Sequence, residues 1–270
     1  VRLDADHRPS QVFRHRLGTP AQSDELLHAE ADAGMFVDID KTQSGRFLLI
    51  SIGDHETSEI RVVDLSGPEA EPRTIAPRQP GLRYDIEHHG DDFLILTNAD
   101  GAEDFKIVRA PVATPGQENW RDLVPHRPGR LILSHVCLAG RLIRLEREDG
   151  LPRIVIHDLA SGVESSIAFD EEAYGLGMDA GYEFETDTLR FIYASMARPA
   201  ETWDYAMGTG ARTLLKRQEV PSGHDPAAYR VRRVFATASD GAKVPVSLLH
   251  RVDTPLDGSA PCLLYGYGAY

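Results

Sequence analysis

Cysteine is scarce in this sequence, and long apolar runs and targeting segments are missing. The two cysteines, Cys137 and Cys262, cannot build a disulfide framework, which favours a reducing, cytoplasmic setting. No apolar run approaches the roughly 20 residues that a membrane-spanning helix needs. The sequence starts at Val1 rather than at a methionine, and no signal peptide follows, so we expect an internal piece of a longer protein.

Lysine and arginine are in deficit. The sequence has 29 of them against 42 aspartates and glutamates, which gives a formal net charge of −13. A negative surplus of this size argues against nucleic acid and anionic membranes as partners and favours cationic ones. The alternative, that the charge only keeps the protein in solution, stays open at this point.

What the sequence does contain is a repeat. Short apolar runs recur at four equivalent positions with spacings of 46, 49 and 47 residues, marked by Phe47, Phe93, Leu142 and Leu189. Each run follows a turn signal and precedes a second strand-like run. One unit has room for four strands, which is the blade of a β-propeller, and it is too long for a leucine-rich or ankyrin repeat.

The repeat predicts a mainly β fold, an open and therefore partial propeller. Four complete blades are expected at about residues 32–79, 80–128, 129–168 and 172–215, after the last two strands of an earlier blade at 11–17 and 25–30. Helical patterns are nearly absent. Residues 23–31 carry one, but we predict a strand there because the segment aligns with the outer strand of a blade.

The pattern changes after the last blade. Residues 216–229, rich in proline and glycine, break the period and predict a linker. Two β-rich runs at 234–238 and 244–249 then flank Asp240-Gly241, a pair that supplies the positive φ of a hairpin turn. The apolar run from Cys262 to Tyr265 predicts a further strand that is buried on both faces, as in parallel α/β sheets.

Three segments of the sequence carry a family signature. They are Leu-Leu-Tyr-Gly-Tyr-Gly-Ala-Tyr at 263–270, Ala-Thr-Ala-Ser-Asp-Gly-Ala-Lys-Val-Pro-Val-Ser at 236–247 and Tyr-Asp-Ile-Glu-His at 84–88. Together they resemble the prolyl oligopeptidase family of serine peptidases, most of all its oligopeptidase B branch. The resemblance implies a seven-bladed β-propeller, here residues 1–215 in part, that caps an α/β-hydrolase domain, here truncated to residues 230–270.

The resemblance also implies roles for two tyrosines. In the family, the second tyrosine of Tyr-Gly-Tyr-Gly donates its hydroxyl to the oxyanion of the tetrahedral intermediate, which makes Tyr267 the oxyanion donor. A phenolic donor aimed at developing charge stabilises the transition state more than the ground state. Tyr270 stands where the family has an aromatic residue in a substrate subsite. The catalytic serine, aspartate and histidine would lie beyond Tyr270, so the chain alone is expected to be inactive.

Other residues that could carry chemistry have simpler explanations. The sequence contains no Gly-x-Ser-x-Gly elbow, and the pair Ser134-His135 has no supporting third partner. Glu87, His88 and His89 are metal-ligand types, but neighbours on a strand point to opposite faces, so no metal site is expected. Gly266 and Gly268 lack the third glycine of a dinucleotide fingerprint, so no cofactor is expected.

Two classes of function remain. The first is a serine oligopeptidase that hydrolyses short, basic peptides after arginine or lysine, with the propeller as a size filter and the remainder of its own hydrolase domain as a partner. The second is a stand-alone propeller that serves as a protein-interaction module. Residues 230–270 favour the first class, because a pure scaffold has no use for a buried strand that ends in Tyr-Gly-Tyr-Gly.

Overall fold

The chain folds almost wholly into antiparallel β-sheets. The computed structural model describes residues 1–67 and 71–267. A partial sheet comes first, followed by four four-stranded sheets, called blades 1 to 4 here, and by a two-stranded hairpin. No helix in these residues is long and apolar enough to cross a membrane.

The strands follow the chain in order. They are β1 (Arg2–Leu3), β2 (Pro9–Arg14) and β3 (Glu25–Ala29) in the partial sheet; β4 (Phe36–Lys41), β5 (Phe47–Gly53), β6 (Ser58–Asp64) and β7 (Arg73–Thr74) in blade 1; β8 (Tyr84–His89), β9 (Asp92–Thr97), β10 (Lys106–Pro111) and β11 (Arg121–Val124) in blade 2; β12 (Arg130–Leu138), β13 (Arg141–Glu148), β14 (Leu151–Asp158) and β15 (Glu164–Ser166) in blade 3; β16 (Gly175–Asp179), β17 (Thr188–Ala194), β18 (Glu201–Ala206) and β19 (Arg212–Arg217) in blade 4; and β20 (Tyr229–Thr237) and β21 (Lys243–Arg251) in the hairpin. Short 3-10 turns lie at Ala21–Ser23, Ala99–Gly101, Gln117–Asn119 and Pro226–Ala228.

The repeat positions occupy the same place in every blade. Phe47, Phe93, Leu142 and Leu189 begin or nearly begin the second strand of their blades, and each is at most 1% exposed. Within a blade, each strand pairs with the next one along the chain, so a blade is a simple meander. The predicted mainly β, partial propeller is therefore confirmed.

Neighbouring sheets share apolar cores. Val12 of the partial sheet packs with Val37 of blade 1, and Phe47 packs in one cluster with Phe93 of blade 2. Similar clusters join blade 2 to blade 3 and blade 3 to blade 4. Because a single sheet cannot bury its own apolar face, this stacking of one blade on the next provides the core of the molecule.

Two details at the ends of the propeller differ from the prediction. The partial sheet has a third short strand, Arg2–Leu3, beside the two expected ones, while the helix-like segment forms the strand Glu25–Ala29 as predicted. The last strand of blade 4 ends at Arg217 and so extends into the predicted linker. Main-chain pairing with β18 continues through this segment, and local composition does not reveal that pairing.

The predicted buried strand near the end of the chain is wrong for the described residues. Residues 261–267 have no regular secondary structure, and Leu263, Leu264 and Tyr265 are 90%, 85% and 82% exposed. The physical reason is that a doubly buried strand needs a neighbour on each side, and in the described part of the chain these residues pair with no other strand.

A buried ion pair lies within blade 3. Arg144 and Glu146, two residues apart on β13, are both fully buried, and Arg144 Nε lies 2.9 Å from Glu146 Oε1. Arg144 also reaches Glu164 on β15, with 2.8 Å between the nearest atoms. Arg130 Nε lies 3.7 Å from Glu146 Oε2. Removing Arg144 or Glu146 would leave the other buried charge with one ion-pair partner fewer, so the network holds the middle of this blade in one arrangement.

Candidate active-site junction and channel

The hairpin β20–β21 sits against one end of blade 4. Val231 is buried together with Ala173 and Ala197, which flank β16 and β17. The backbone N–H of Arg233 donates to Glu172 Oε2 at 2.8 Å. Blade 4 therefore meets the hairpin where β16 starts and β17 finishes. We call this end of the propeller the hairpin end and the opposite end of the propeller the far end.

The turn Asp149-Gly150 brings blade 3 to the same junction, and both of its residues have a positive φ. Gly150 has a φ of +76°, and a Cβ atom there would lie 3.2 Å from Pro245 Cγ and 3.5 Å from Arg233 Nη2. Any side chain would therefore be strained by its backbone and crowded by the hairpin. The glycine lets blade 3 approach the hairpin closely.

A cavity of about 420 Å³ opens at this junction. It is lined in part by Leu151, Tyr174, Ala194, Ser195, Arg233 and Ser247. Arg233 Nη2 is shielded from solvent and has no hydrogen-bond partner in the described residues. Burial raises the pKa of Tyr174, against the opposing influence of Arg153 and Arg233. Guanidinium and phenol donors beside an apolar wall can hold an anionic group such as a carboxylate.

Carboxylates line the first strands of blades 1 and 2. Asp38 and Asp40 on β4 and Asp85 on β8 are exposed, and Glu87 on β8 is half-buried. On β8 they alternate with the buried Ile86 and His88, so they share one face of the strand. Because β8 also approaches β12, the first strand of the next blade, we take this face as the wall of the propeller channel.

Glu87 is the most perturbed carboxyl group on this wall. Burial raises its pKa to about 8, and the neighbouring negative charges of Asp85 and Asp40 act in the same direction. Backbone N–H groups of Gln43, at 2.9 Å, and of His88 donate to Glu87 Oε2 and oppose that rise. A channel carboxyl that keeps its proton at neutral pH makes the wall less negative than its residue count indicates.

The rings of two histidines singled out in the sequence, His88 and His135, are engaged in hydrogen bonds within the propeller. His88 Nδ1 lies 2.8 Å from Ser44 Oγ and its Nε2 lies 2.8 Å from Gly90 O, so both ring nitrogens are engaged. His135 Nε2 bonds Leu94 O at 3.1 Å, and burial lowers the pKa of its ring. Within the described residues no group of three or more metal-ligating side chains is placed to hold one ion.

The two tyrosines with expected roles lie at or beyond the end of the described chain. Tyr267 is 70% exposed, in the segment without regular structure. Tyr270 lies outside the described residues. Sequence reasoning missed the Arg233 contact to Glu172 and the junction cavity. The spacing of residues along the chain carries no signal for either one, because both form between segments that are far apart in the sequence.

Comparison with known proteins places this architecture in a family. The protein-family model for the prolyl oligopeptidase N-terminal β-propeller domain matches residues 1–218 of this sequence. Dipeptidyl aminopeptidase BI of Pseudoxanthomonas mexicana is 38% identical over 261 residues, which are 96% of this chain and 36% of that protein. Protease 2 of Moraxella lacunata is 32% identical over 269 residues, 99% of this chain and 38% of that protein.

Solved structures agree with the sequence relatives. Oligopeptidase B from Trypanosoma brucei, with covalently bound antipain and in a closed form, superposes with a TM-score of 0.87 at 30% identity. Oligopeptidase B from Leishmania major gives the same values, and in both cases the match covers 99% of this chain and 39% of the other. The chain thus spans less than two fifths of the length of these relatives. It belongs to the prolyl oligopeptidase family, and residues 1–218 match that family's N-terminal β-propeller domain.

Proposed function

We propose that the chain is the propeller and the start of the α/β-hydrolase domain of a serine oligopeptidase that hydrolyses short peptides. The observation that carries this proposal is the extent of the similarity. Residues 219–270 lie outside the propeller match, and a relative that aligns with 99% of the chain must also align with most of them. We assign residues 1–217, to the end of β19, to the propeller, residues 218–228 to a linker, and the chain from β20 to residue 270 to the hydrolase domain, which shortens the linker predicted from the sequence.

The exposed apolar side chains of the hairpin indicate that another part of the protein covers them. Val234, Phe235, Val244 and Leu249 are between 39% and 50% exposed on two paired strands. Apolar strands of this kind are stable when further strands and helices cover them. We assign the cover to the remainder of the protein's own hydrolase domain. A stand-alone interaction module would leave this surface open, so the hairpin argues against that alternative.

In this assignment Tyr267 is the oxyanion donor. Its hydroxyl would donate a hydrogen bond to the oxygen of the tetrahedral intermediate, where negative charge develops, and so lower the barrier. The nucleophile, base and orienting carboxylate would come from the part of the hydrolase domain that follows. Tyr270 would line a substrate subsite beside it. The chain requires no metal and no cofactor for this chemistry.

The charge of the chain supports a basic substrate. A formal charge of −13 and the exposed carboxylates of Asp38, Asp40 and Asp85 would raise the local concentration of peptides that carry arginine or lysine. Cleavage after these residues follows from the family resemblance. The propeller would act as a size filter, because a folded protein is too wide for its channel.

The chemistry of the two cysteines supports a reducing compartment, and we propose the cytoplasm. Both are free: Cys137 is buried, and burial raises the pKa of its thiol to about 12, whereas Cys262 is exposed. A thiol held protonated in a core is inert, and an exposed one persists where disulfides are reduced. Fractionation of the source cells with an antibody to the propeller tests this assignment; recovery outside the cytoplasm contradicts it.

The experiment for the proposed function uses the full-length protein. Fluorogenic peptides that differ only in arginine, lysine, alanine or proline before the cleaved bond would be compared, and a serine-directed phosphonate would be added to label the nucleophile. We expect cleavage after arginine and lysine and labelling of one serine beyond residue 270. The 270-residue chain is the control and should do neither. Cleavage after alanine or proline alone, or no labelling of the full-length protein, contradicts the proposal.

A further inference from the structure

Among the connections between the first and second strands of the blades, one is longer than the other three. The first and second strands are joined by two residues in blades 2 and 3 and by five in blade 1, but by eight in blade 4, residues 180–187. Two residues suffice to reverse an antiparallel pair. The six extra residues therefore need another explanation, and we call the segment 180–187 the axis loop.

The axis loop contacts the first-strand ends of all three other blades. The N–H of Ala139, just after β12, donates to Phe184 O at 2.9 Å. The Phe184 ring lies 6.5 Å from that of His89, the last residue of β8, and packs on the core between blades 2 and 3. Gln43, just after β4, donates from its side-chain Nε2 to Gly181 O at 3.1 Å.

The contact between Gln43 and Gly181 fixes the course of the loop. The two residues belong to blades three steps apart. In a propeller of six to eight blades each step turns by about 45° to 60°, so three steps reach roughly the opposite side of the ring. A loop that starts on blade 4 and touches blade 1 must therefore cross the propeller axis, and it does so at the far end.

We propose that the axis loop is the floor of the propeller channel and limits the length of peptide that the enzyme accepts; this rests on the proposed function. Its tip is polar and acidic, with Tyr182 95% exposed and Glu183 and Glu185 also exposed. A peptide that enters from the hairpin end meets this floor after the length of one first strand, about 20 Å. A longer chain has no exit at the far end.

Two variants weaken or shorten the axis loop while Phe184 stays packed in the core between blades 2 and 3. Gln43→Ala deletes the side-chain bond to Gly181 and keeps the backbone N–H that donates to Glu87. Deletion of Tyr182 and Glu183 shortens the tip and keeps Phe184 in its core. The matched control is Gln79→Ala, which breaks another exposed glutamine bond, that from Gln79 Nε2 to Gln117 Oε1 at 2.9 Å, in the connection between blades 1 and 2.

The test compares long and short substrates of the full-length enzyme. A peptide of about 40 residues spans roughly 130 Å when extended, far more than the channel depth. We expect both loop variants to raise the ratio of kcat/KM for this peptide to that for a tetrapeptide about tenfold, with tetrapeptide kcat/KM unchanged. Gln79→Ala should match the wild type. Unchanged ratios in both variants, with unchanged thermal unfolding midpoints, overturn the inference.

A second readout does not depend on activity. A cysteine placed at Asp40 on the channel wall would be labelled with a polyethylene glycol maleimide in full-length protein, and mass spectrometry would follow the labelled peptide. The loop variants should label about tenfold faster than the wild-type loop, because the reagent gains the far end as an entrance. Equal rates contradict the floor. A protein that cleaves neither peptide contradicts the proposed function instead, and the labelling rates still decide whether the loop closes the channel.

Discussion

Replacing Glu87 by glutamine should remove most of the pH dependence of stability that this side chain causes. Burial and the nearby Asp85 and Asp40 raise the pKa of Glu87 to about 8 from an ordinary value of 4.5. In the unfolded chain the same carboxyl ionises near that ordinary value. Glutamine has almost the same shape, stays neutral at every pH, and can still accept the Gln43 N–H at the 2.9 Å position.

The sign follows from the direction of the shift. A raised folded-state pKa means that the folded protein holds a proton that the unfolded chain has lost, so the contribution of Glu87 to stability is full below about pH 4.5 and is lost as the pH rises to about 8. The whole loss is at most about 5 kcal/mol, because 1.36 kcal/mol corresponds to each pH unit between the two pKa values. Water that reaches the half-buried group reduces this value.

Urea unfolding of the 270-residue chain between about pH 5 and pH 9 measures the effect. Glu87→Gln and wild type should differ by less than about 1 kcal/mol near pH 5, and the variant should become more stable by about 2 to 5 kcal/mol near pH 9. Glu103→Gln, at an exposed position, is the control and should follow the wild type. A difference between Glu87→Gln and wild type that stays constant across this range would refute the reasoning.

Three further expectations concern catalysis, charge and the core. Tyr267→Phe in the full-length enzyme should lower kcat by about 10- to 1,000-fold with KM nearly unchanged, as loss of a transition-state hydrogen bond does, and steady-state kinetics would show otherwise if turnover were unaltered. Added salt should lower kcat/KM for a dibasic peptide more than for a neutral one; equal salt dependence would mean that the charge of −13 serves only solubility. Arg144→Met should destabilise the chain by about 3 to 5 kcal/mol in urea unfolding, because the buried Glu146 then keeps only the more distant Arg130, at 3.7 Å, as a cationic partner, and a loss below about 1 kcal/mol would contradict this.

The blades could be predicted from the sequence because the residues that specify each blade lie close together along the chain. Each unit carries its own apolar runs and turn residues, so positions such as Phe47 and Phe93 show the register directly, and the structure buries them as expected. The same logic resolved the helix-like segment, where alignment with the repeat correctly outweighed local propensity. Strand ends were less predictable, since the extension of β19 to Arg217 depends on pairing with β18 rather than on composition.

The features that bear on function were harder to predict because they form between distant segments. Nothing in the run from Cys262 to Tyr265 tells whether neighbouring strands are present, and without them the run is exposed. The hydrogen bond between Gln43 and Gly181 joins residues 138 positions apart. A signal for the axis loop was nevertheless available, because the fourth repeat inserts residues between its first two strands where repeats 2 and 3 place a two-residue turn.

The two proposals together assign peptide selection and peptide chemistry to different parts of the protein. The hydrolase domain would supply the nucleophile, and this chain would add one donor to the transition state, Tyr267, and one limit on length, the axis loop. Because a transition-state donor acts on every substrate alike, Tyr267→Phe should lower kcat for short and long peptides by the same factor. Loss of the floor acts only on peptides that reach it, so Gln43→Ala should change the long-to-short ratio alone. The double variant should therefore show the product of the two effects, since one acts on the reacting carbonyl of every peptide and the other only on the far part of a long peptide. A double variant that departs from this product by more than about twofold would mean that the two positions are energetically coupled.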